Sequence, residues 1–176
     1  MNDDRPKIQT TDIKVVYSNP WLIVEEHKVR NIDNSAGIYG VLDYGNGVTT
    51  IAVNNNNEIL LINEYKYAIE QFAYQLPSGG VEKGEDALEA AKREFLEESG
   101  LQGEKWQSLG YIYPFPTNIK TKVNLYLVTN VIEVQRPENG VDSDWFSVDE
   151  VREMIQRNEI IHAGSLVCLL KYLSKL

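Results

Sequence analysis

Residues 79–101 read GGVEKGEDALEAAKREFLEESGL, and the end of this stretch sets Glu94, Glu97 and Glu98 within little more than one helical turn. Like charges three or four positions apart cost an isolated helix about 0.2–0.5 kcal/mol per pair. The spacing is therefore unfavourable unless something positive sits among the carboxylates. The helix itself is well specified. Glu85 and Asp86 are expected in its first turn, where carboxylates favour the positive end of the helix dipole, and Gly100 stands where a glycine stops a helix. At 3.6 residues per turn, Leu88, Ala91 and Phe95 fall on one stripe, which predicts the core face, and the three glutamates share an adjacent arc about 100° wide. Carboxylates at a core boundary are hard oxygen ligands suited to Mg²⁺, with Mn²⁺ as the second option. A bound cation would compensate the repulsion.

On either side of this helix the pattern is one of strands and turns. Upstream, KVVYSNPWLIVEEHKVR is broken at Asn19-Pro20, and IYGVLDYGNGVTTIAV is centred on the turn signal at 44–47. NNNNEILLINEY predicts a tight turn at 54–57 and a strand over 59–63, and LPSGG a loop leading into the helix. Downstream, WQSLGYIYPF and VNLYLVTNVIEV predict strands, QRPENGVDSD a loop, SVDEVREMIQRN a short helix and HAGSLVCLLKYLSKL a closing helix. Strands on both sides of a central helix, with more helix at the end, imply an α/β fold with a mixed sheet covered on two faces. The expected organisation is a small β-rich N-terminal segment over 1–45, too short to bury a core alone, and a main domain over 46–176.

Composition narrows the partners. The 176 residues are 43% hydrophobic and 24% charged, an ordinary globular balance with room for a full core. With 17 Lys+Arg against 26 Asp+Glu the net charge is −9, which argues against nucleic acid or an anionic membrane surface as the partner. A small phosphorylated substrate stays open if cations bridge it. The single cysteine, Cys168, lies in the apolar run SLVCLLKYL and reads as a buried structural thiol. The start, MNDDRPKIQTTD, has no apolar leader, and no stretch approaches the roughly 20 apolar residues of a membrane span, so a cytoplasmic location is expected. His27 falls in a strand and His162 before the last helix; neither has a serine or cysteine arrangement that suggests a triad, and both read as structural.

Taken whole, Gly79, Glu85, Arg93-Glu94-Phe95, Glu97-Glu98 and Gly100-Leu101 fill all nine specified positions of the Nudix box. With each specified residue near its average usage, a chance match at a given start is on the order of 10⁻⁹. The chain thus resembles the Nudix hydrolases. The resemblance implies an α/β/α sandwich that hydrolyses, with a divalent metal, a nucleoside diphosphate linked to another group. It implies Glu94, Glu97 and Glu98 as metal ligands with the Ser78 carbonyl as a further candidate, and Arg93 orienting a glutamate by ion pairing, with Glu85 as its partner.

Outside the box, INEYKY before QLPSGG, a proline at Pro116 and the closing NEIIHAGSLVCLLKYL are similar to the ADP-ribose and nucleotide-sugar pyrophosphatase branch. Two features depart from that branch: PFPTNIK replaces its usual Ser-Pro-Gly, and Lys66 stands where an arginine is frequent, which removes a bidentate phosphate fork. The resemblance implies ADP-ribose or an ADP-sugar as substrate. GDP-sugars, NADH and diadenosine polyphosphates are the alternatives, and a non-catalytic nucleotide-sugar sensor is the alternative of another class. For the base that activates water, the late acidic residues Glu138, Asp142 and Asp144 compete with Glu97, with Asp142 preferred. Lys66, Tyr65, Tyr67, Tyr39 and Pro116 are the candidate substrate contacts, the tyrosines by stacking on a base. The branch also implies a homodimer built through the N-terminal segment.

Overall fold

In the computed structural model, which describes residues 5–137 and 142–175, the quoted stretch forms helix α1 (Ala87–Ser99). Asp86 caps it, its carboxylate accepting the Leu88 N–H at 2.8 Å. Gly100 ends it in the left-handed region (φ 72°), its N–H donating to the Leu96 carbonyl at 2.8 Å. The buried face consists of Ala90, Ala91, Phe95 and Ser99, and Leu88 is only half-buried. The expected stripe is thus shifted, because α1 lies on the sheet along small side chains, with Ala90 and Ala91 packed on Val48. Leu88 is left at the margin.

That helix covers one face of a seven-stranded sheet. Its strands are β4 (Gly47–Val53), β5 (Ile59–Lys66), β6 (Gln71–Gln75), β7 (Ser78–Gly80), β8 (Leu101–Ile112), β9 (Val123–Glu133) and β10 (Asp142–Phe146). They run in the order β10-β5-β4-β9-β8, with β6 paired to β5 and β7 to β4. Only β4 and β9 are parallel, so the sheet is mixed. Alternation along β4 explains the layering, since successive side chains point to opposite faces. Ala52 joins Leu60, Phe95 and Val128 under α1. Ile51 joins Ile59, Leu61 and Leu125 on the other face, under α2 (Val148–Gln156) and α3 (Ala163–Leu173), which contribute Val151, Met154, Cys168 and Leu169. The result is an α/β/α sandwich, in which full burial of a side chain such as Phe95 is worth about 1.5–3 kcal/mol. The Cys168 thiol belongs to this core, and burial pushes its pKa up to about 12.

One expected loop is partly a strand. Asp142 opens β10 opposite Asn63 of β5, and Asp144 lies opposite Leu61. The alternation Asp-Ser-Asp-Trp-Phe was masked by its acidic residues, which suit an edge strand as well as a turn. Among the described residues no helix is long and apolar enough to cross a membrane.

The chain divides into two compact units: Asn46–Ile112 with Lys122–Leu176, which carries the sandwich, and residues up to Gly45 with Tyr113–Thr121. In the latter, β1 (Gln9–Ser18), β2 (Ile23–Arg30) and β3 (Ala36–Asp43) form an antiparallel meander. Of the residues described in these three strands, only Val29 is buried, and β1 is exposed along its whole length. The stretch Tyr113–Thr121 is tied to β3: the Leu42 N–H donates to the Asn118 carbonyl at 2.8 Å and the Lys120 N–H to the Leu42 carbonyl at 2.9 Å.

Candidate active site

The three-residue strand β7 runs beside α1 and brings the box residues into register. The Ser78 N–H donates to Glu98 Oε2 at 2.8 Å. Gly79 leaves room for the Glu94 carboxylate, since a Cβ there would fall on it and force it off its bond to Arg93. Arg93 sits at the centre of the acidic group. Its Nε and Nη2 form a fork on the two Glu85 oxygens, each at 3.0 Å, and Nη2 also donates to the Gly80 carbonyl at 2.9 Å. Its Nη1 donates to Glu94 Oε1 at 2.8 Å and reaches Glu97 Oε2 at 3.4 Å. One guanidinium thus fixes three carboxylates, a task its planar five-donor geometry suits and a lysine would not. Arg93 and then the Glu82 N–H hold the Glu85 carboxyl below its ordinary range.

Glu98 is the exception, with no cationic side chain bonded to it among the described residues. Burial first, then the charges of Glu94 and Glu64, push its carboxyl up to about 8, against the opposing Ser78 N–H and the Lys66 charge. The charged form is disfavoured there until a cation supplies a partner. Among the described residues no three His, Cys, Asp or Glu side chains converge as a ready metal cluster. The bonding explains why: Glu94 and Glu97 are on Arg93, and Glu98 is on Ser78. The donor set nevertheless suits a hard divalent cation, being three half-buried carboxylates on one arc, one of them short of positive charge, beside a glycine that leaves room.

Glu98 and Ser78 line a cavity of about 250 Å³ together with Glu64, Lys66, Gln75 and His162. Glu64 Oε2 accepts from Lys66 Nζ at 2.6 Å and from Gln75 Nε2 at 2.8 Å. A larger hollow of about 430 Å³ lies in the other unit beside Pro116 and Lys120. The smaller cavity is the candidate site, because it holds the half-buried Glu98 carboxylate and a concentration of charged and polar side chains.

Sequence reasoning missed Glu64 and Gln75 and took His162 as structural. Alternation along INEYKY offered a signal, since it sets Glu64 and Lys66 on one face of β5 and Tyr65 on the other. Gln75 and His162 join them only through the β5–β6 pairing and the placement of α3, which no local pattern announces.

The remaining candidates are scattered. Tyr65 packs edge-on against Phe72 with ring centroids 5.3 Å apart, and Tyr67 is 88% exposed in a 3₁₀ turn; neither lines the cavity. Asp142 and Asp144 share the face of β10 that carries Phe146, which packs under α2 and α3, so the sheet separates that face from α1. Glu138 lies outside the described residues. Tyr39 on β3 and Pro116 belong to the other unit.

Comparison with known proteins adds a family model described as NUDIX domain, which matches residues 43–165. An ADP-ribose pyrophosphatase of Mycobacterium tuberculosis is 29% identical over 136 residues, covering 74% of this chain and 66% of that protein. A methanol dehydrogenase activator of Bacillus methanolicus is 25% identical over 135 residues, covering 73% and 72%. Among solved structures, one described as an ADP compounds hydrolase superimposes with a TM-score of 0.87 at 16% identity, covering 99% of this chain and 97% of that one. This chain therefore spans about two thirds of the length of the mycobacterial relative.

Proposed function

The chain belongs to the Nudix family, and from that premise we propose that it hydrolyses the pyrophosphate bond of a nucleoside diphosphate linked to another group. The substrate we assign is ADP-ribose or an ADP-sugar, which would give AMP and a sugar phosphate. The observation that carries this reading is the Arg93 network on Glu85, Glu94 and Glu97, set beside a half-buried Glu98 that has no bonded cation among the described residues. The names of the mycobacterial relative and of the structural neighbour support an adenosine diphosphate compound.

Held by Glu94, Glu97, Glu98 and the Ser78 carbonyl, Mg²⁺ or Mn²⁺ would supply charge neutralisation and Lewis-acid polarisation of the phosphoryl group. Arg93 keeps Glu94 and Glu97 oriented in the absence of substrate, so little reorganisation is needed when it arrives. Lys66, a compact point charge in the cavity, can move from Glu64 to a phosphoryl oxygen. We assign the base to Glu97, whose side chain is more exposed than that of Glu94 (35% against 17%), to take the proton from the attacking water. Asp142 is the weaker choice, because it lies on the other side of the sheet from α1. A general base contributes about 10²–10⁴ in rate, so Glu97→Ala lowers kcat by that factor while Asp142→Ala stays within a few-fold.

The deciding experiment incubates the protein with ADP-ribose, GDP-mannose, NADH, diadenosine polyphosphates and nucleoside triphosphates, with Mg²⁺ and with EDTA, and identifies the products. AMP and ribose phosphate formed only with metal is the expected result. Undiminished turnover in EDTA, or no cleavage of any of these compounds, would sink the reading and favour a nucleotide-sugar sensor.

Assembly follows from the sparse burial in β1–β3. Ile13 at 54%, Tyr17 at 55% and Ile38 at 67% exposure leave apolar surface that this small meander does not cover. We assign its cover to a second copy of the chain in a two-fold homodimer, in a cytoplasmic enzyme. Sedimentation equilibrium of the whole chain should give twice the chain mass, and a monomer at all concentrations would exclude the assignment.

A further inference from the structure

Ser165 is fully buried in α3, and its hydroxyl oxygen accepts the Leu76 N–H at 2.9 Å. The same oxygen lies 2.9 Å from Nδ1 of His162. A hydroxyl carries one hydrogen, and a buried one needs an acceptor. Here Nδ1 is the acceptor within reach, so the Ser165 O–H donates to it. A neutral imidazole has one donor and one acceptor nitrogen, so its proton is then on Nε2. Burial and the nearby Lys66 lower the pKa of this ring, with Glu64 opposing, so its charged form is disfavoured. His162 also lines the cavity that holds Glu98, Glu64 and Lys66. Lys66 and Gln75 both direct donors at Glu64, whereas the Nε2–H makes no hydrogen bond among the described residues.

We propose that His162 is a ligand-binding residue, locked by Ser165 as the Nε2–H tautomer, whose outward N–H donates to an anionic phosphoryl oxygen in the carboxylate cavity. The identification of that oxygen rests on the pyrophosphatase reading above. The site has a reason to use a neutral donor. A second full cation beside Lys66 would repel the metal, whereas an uncharged N–H binds a phosphoryl oxygen without that cost. The fixed tautomer makes the donor pre-organised, since the ring need not exchange its proton before the ligand arrives.

The test reads the ring nitrogens by ¹H–¹⁵N correlation on the whole chain at pH 7.5. The sequence holds two histidines, so a His27→Gln spectrum assigns the signals. The expected result is a neutral His162 with Nδ1 unprotonated, and an Nε2 signal that moves when inorganic pyrophosphate and Mg²⁺ are added. His162→Phe should weaken pyrophosphate binding about ten- to a hundredfold, the range for a hydrogen bond to a charged group, and His162→Gln, which keeps a terminal N–H, should recover most of it. An Nδ1–H tautomer, an Nε2 signal unmoved at saturating pyrophosphate, or equal weakening in the Phe and Gln variants would overturn the proposal. If His162→Phe does not fold, the wild-type spectrum and the Gln variant still decide. If no nucleotide is cleaved, the pyrophosphatase reading fails, while the pyrophosphate titration still decides the role of His162.

Discussion

Replacing Glu98 by glutamine should lower kcat by about 10²–10⁴-fold, the size of several kcal/mol of transition-state charge stabilisation, and leave the fold intact. The geometry supports both halves. The Ser78 N–H that now donates to Glu98 Oε2 at 2.8 Å can donate equally to the amide oxygen of glutamine, so the bond between β7 and α1 survives. What disappears is the charge. In the cation-free protein that charge is disfavoured by burial and by Glu94 and Glu64, so its removal should leave Tm unchanged or slightly raised. Thermal unfolding in EDTA, paired with steady-state rates in Mg²⁺, separates the two effects. A variant that keeps near wild-type kcat would remove Glu98 from the catalytic machinery. One that loses activity and also melts far lower would make Glu98 a structural residue.

Gly100→Ala should destabilise the protein by about 2–5 kcal/mol, a sum of the 1–2 kcal/mol for an alanine in the left-handed region and 1–3 kcal/mol for overpacking. The backbone at this position has φ 72°, and an added Cβ would meet the backbone carbonyl of Gln135. A flexible side chain could swing aside, but a main-chain carbonyl cannot. Moreover, the Gly100 carbonyl accepts the Val134 N–H at 3.0 Å and the Gln135 N–H at 3.2 Å, so any shift disturbs the end of β9 as well as the end of α1. Urea unfolding monitored by circular dichroism gives the value directly. A loss under 1 kcal/mol would show that the turn relaxes without strain.

Much of the sandwich was legible in the sequence because its signals are local. The acidic start at Glu85 and Asp86, the stop at Gly100 and the Nudix spacing each depend on residues within one or two turns, and the strands around them alternate clearly, although Asp86 caps the helix and Glu85 precedes it. The shift of the core stripe from Leu88 to Ala90 was not legible, since it depends on how closely α1 approaches Val48. The same holds at the cavity. Arg93, Glu85, Glu94, Glu97 and Glu98 come from one stretch of chain, whereas Glu64, Gln75 and His162 meet only after β5, β6 and α3 have assembled. The face on which Asp142 lies was hidden for a related reason: strand register, rather than proximity in sequence, decides which face of the sheet a carboxylate occupies.

The attachment of Tyr113–Thr121 to β3 sets an order of events during synthesis. Strands β1 to β3 can pair as they leave the ribosome, because their hairpins close over short distances. Leu42, however, bonds with Asn118 and Lys120 through both its N–H and its carbonyl, and those partners are translated only after α1 and β8. Closing such a long loop carries an entropic cost that local hairpins avoid. The N-terminal meander therefore waits, with its outer edge incomplete, until about two thirds of the chain has emerged, and a nascent chain stalled before Asn118 would present an open strand to its neighbours.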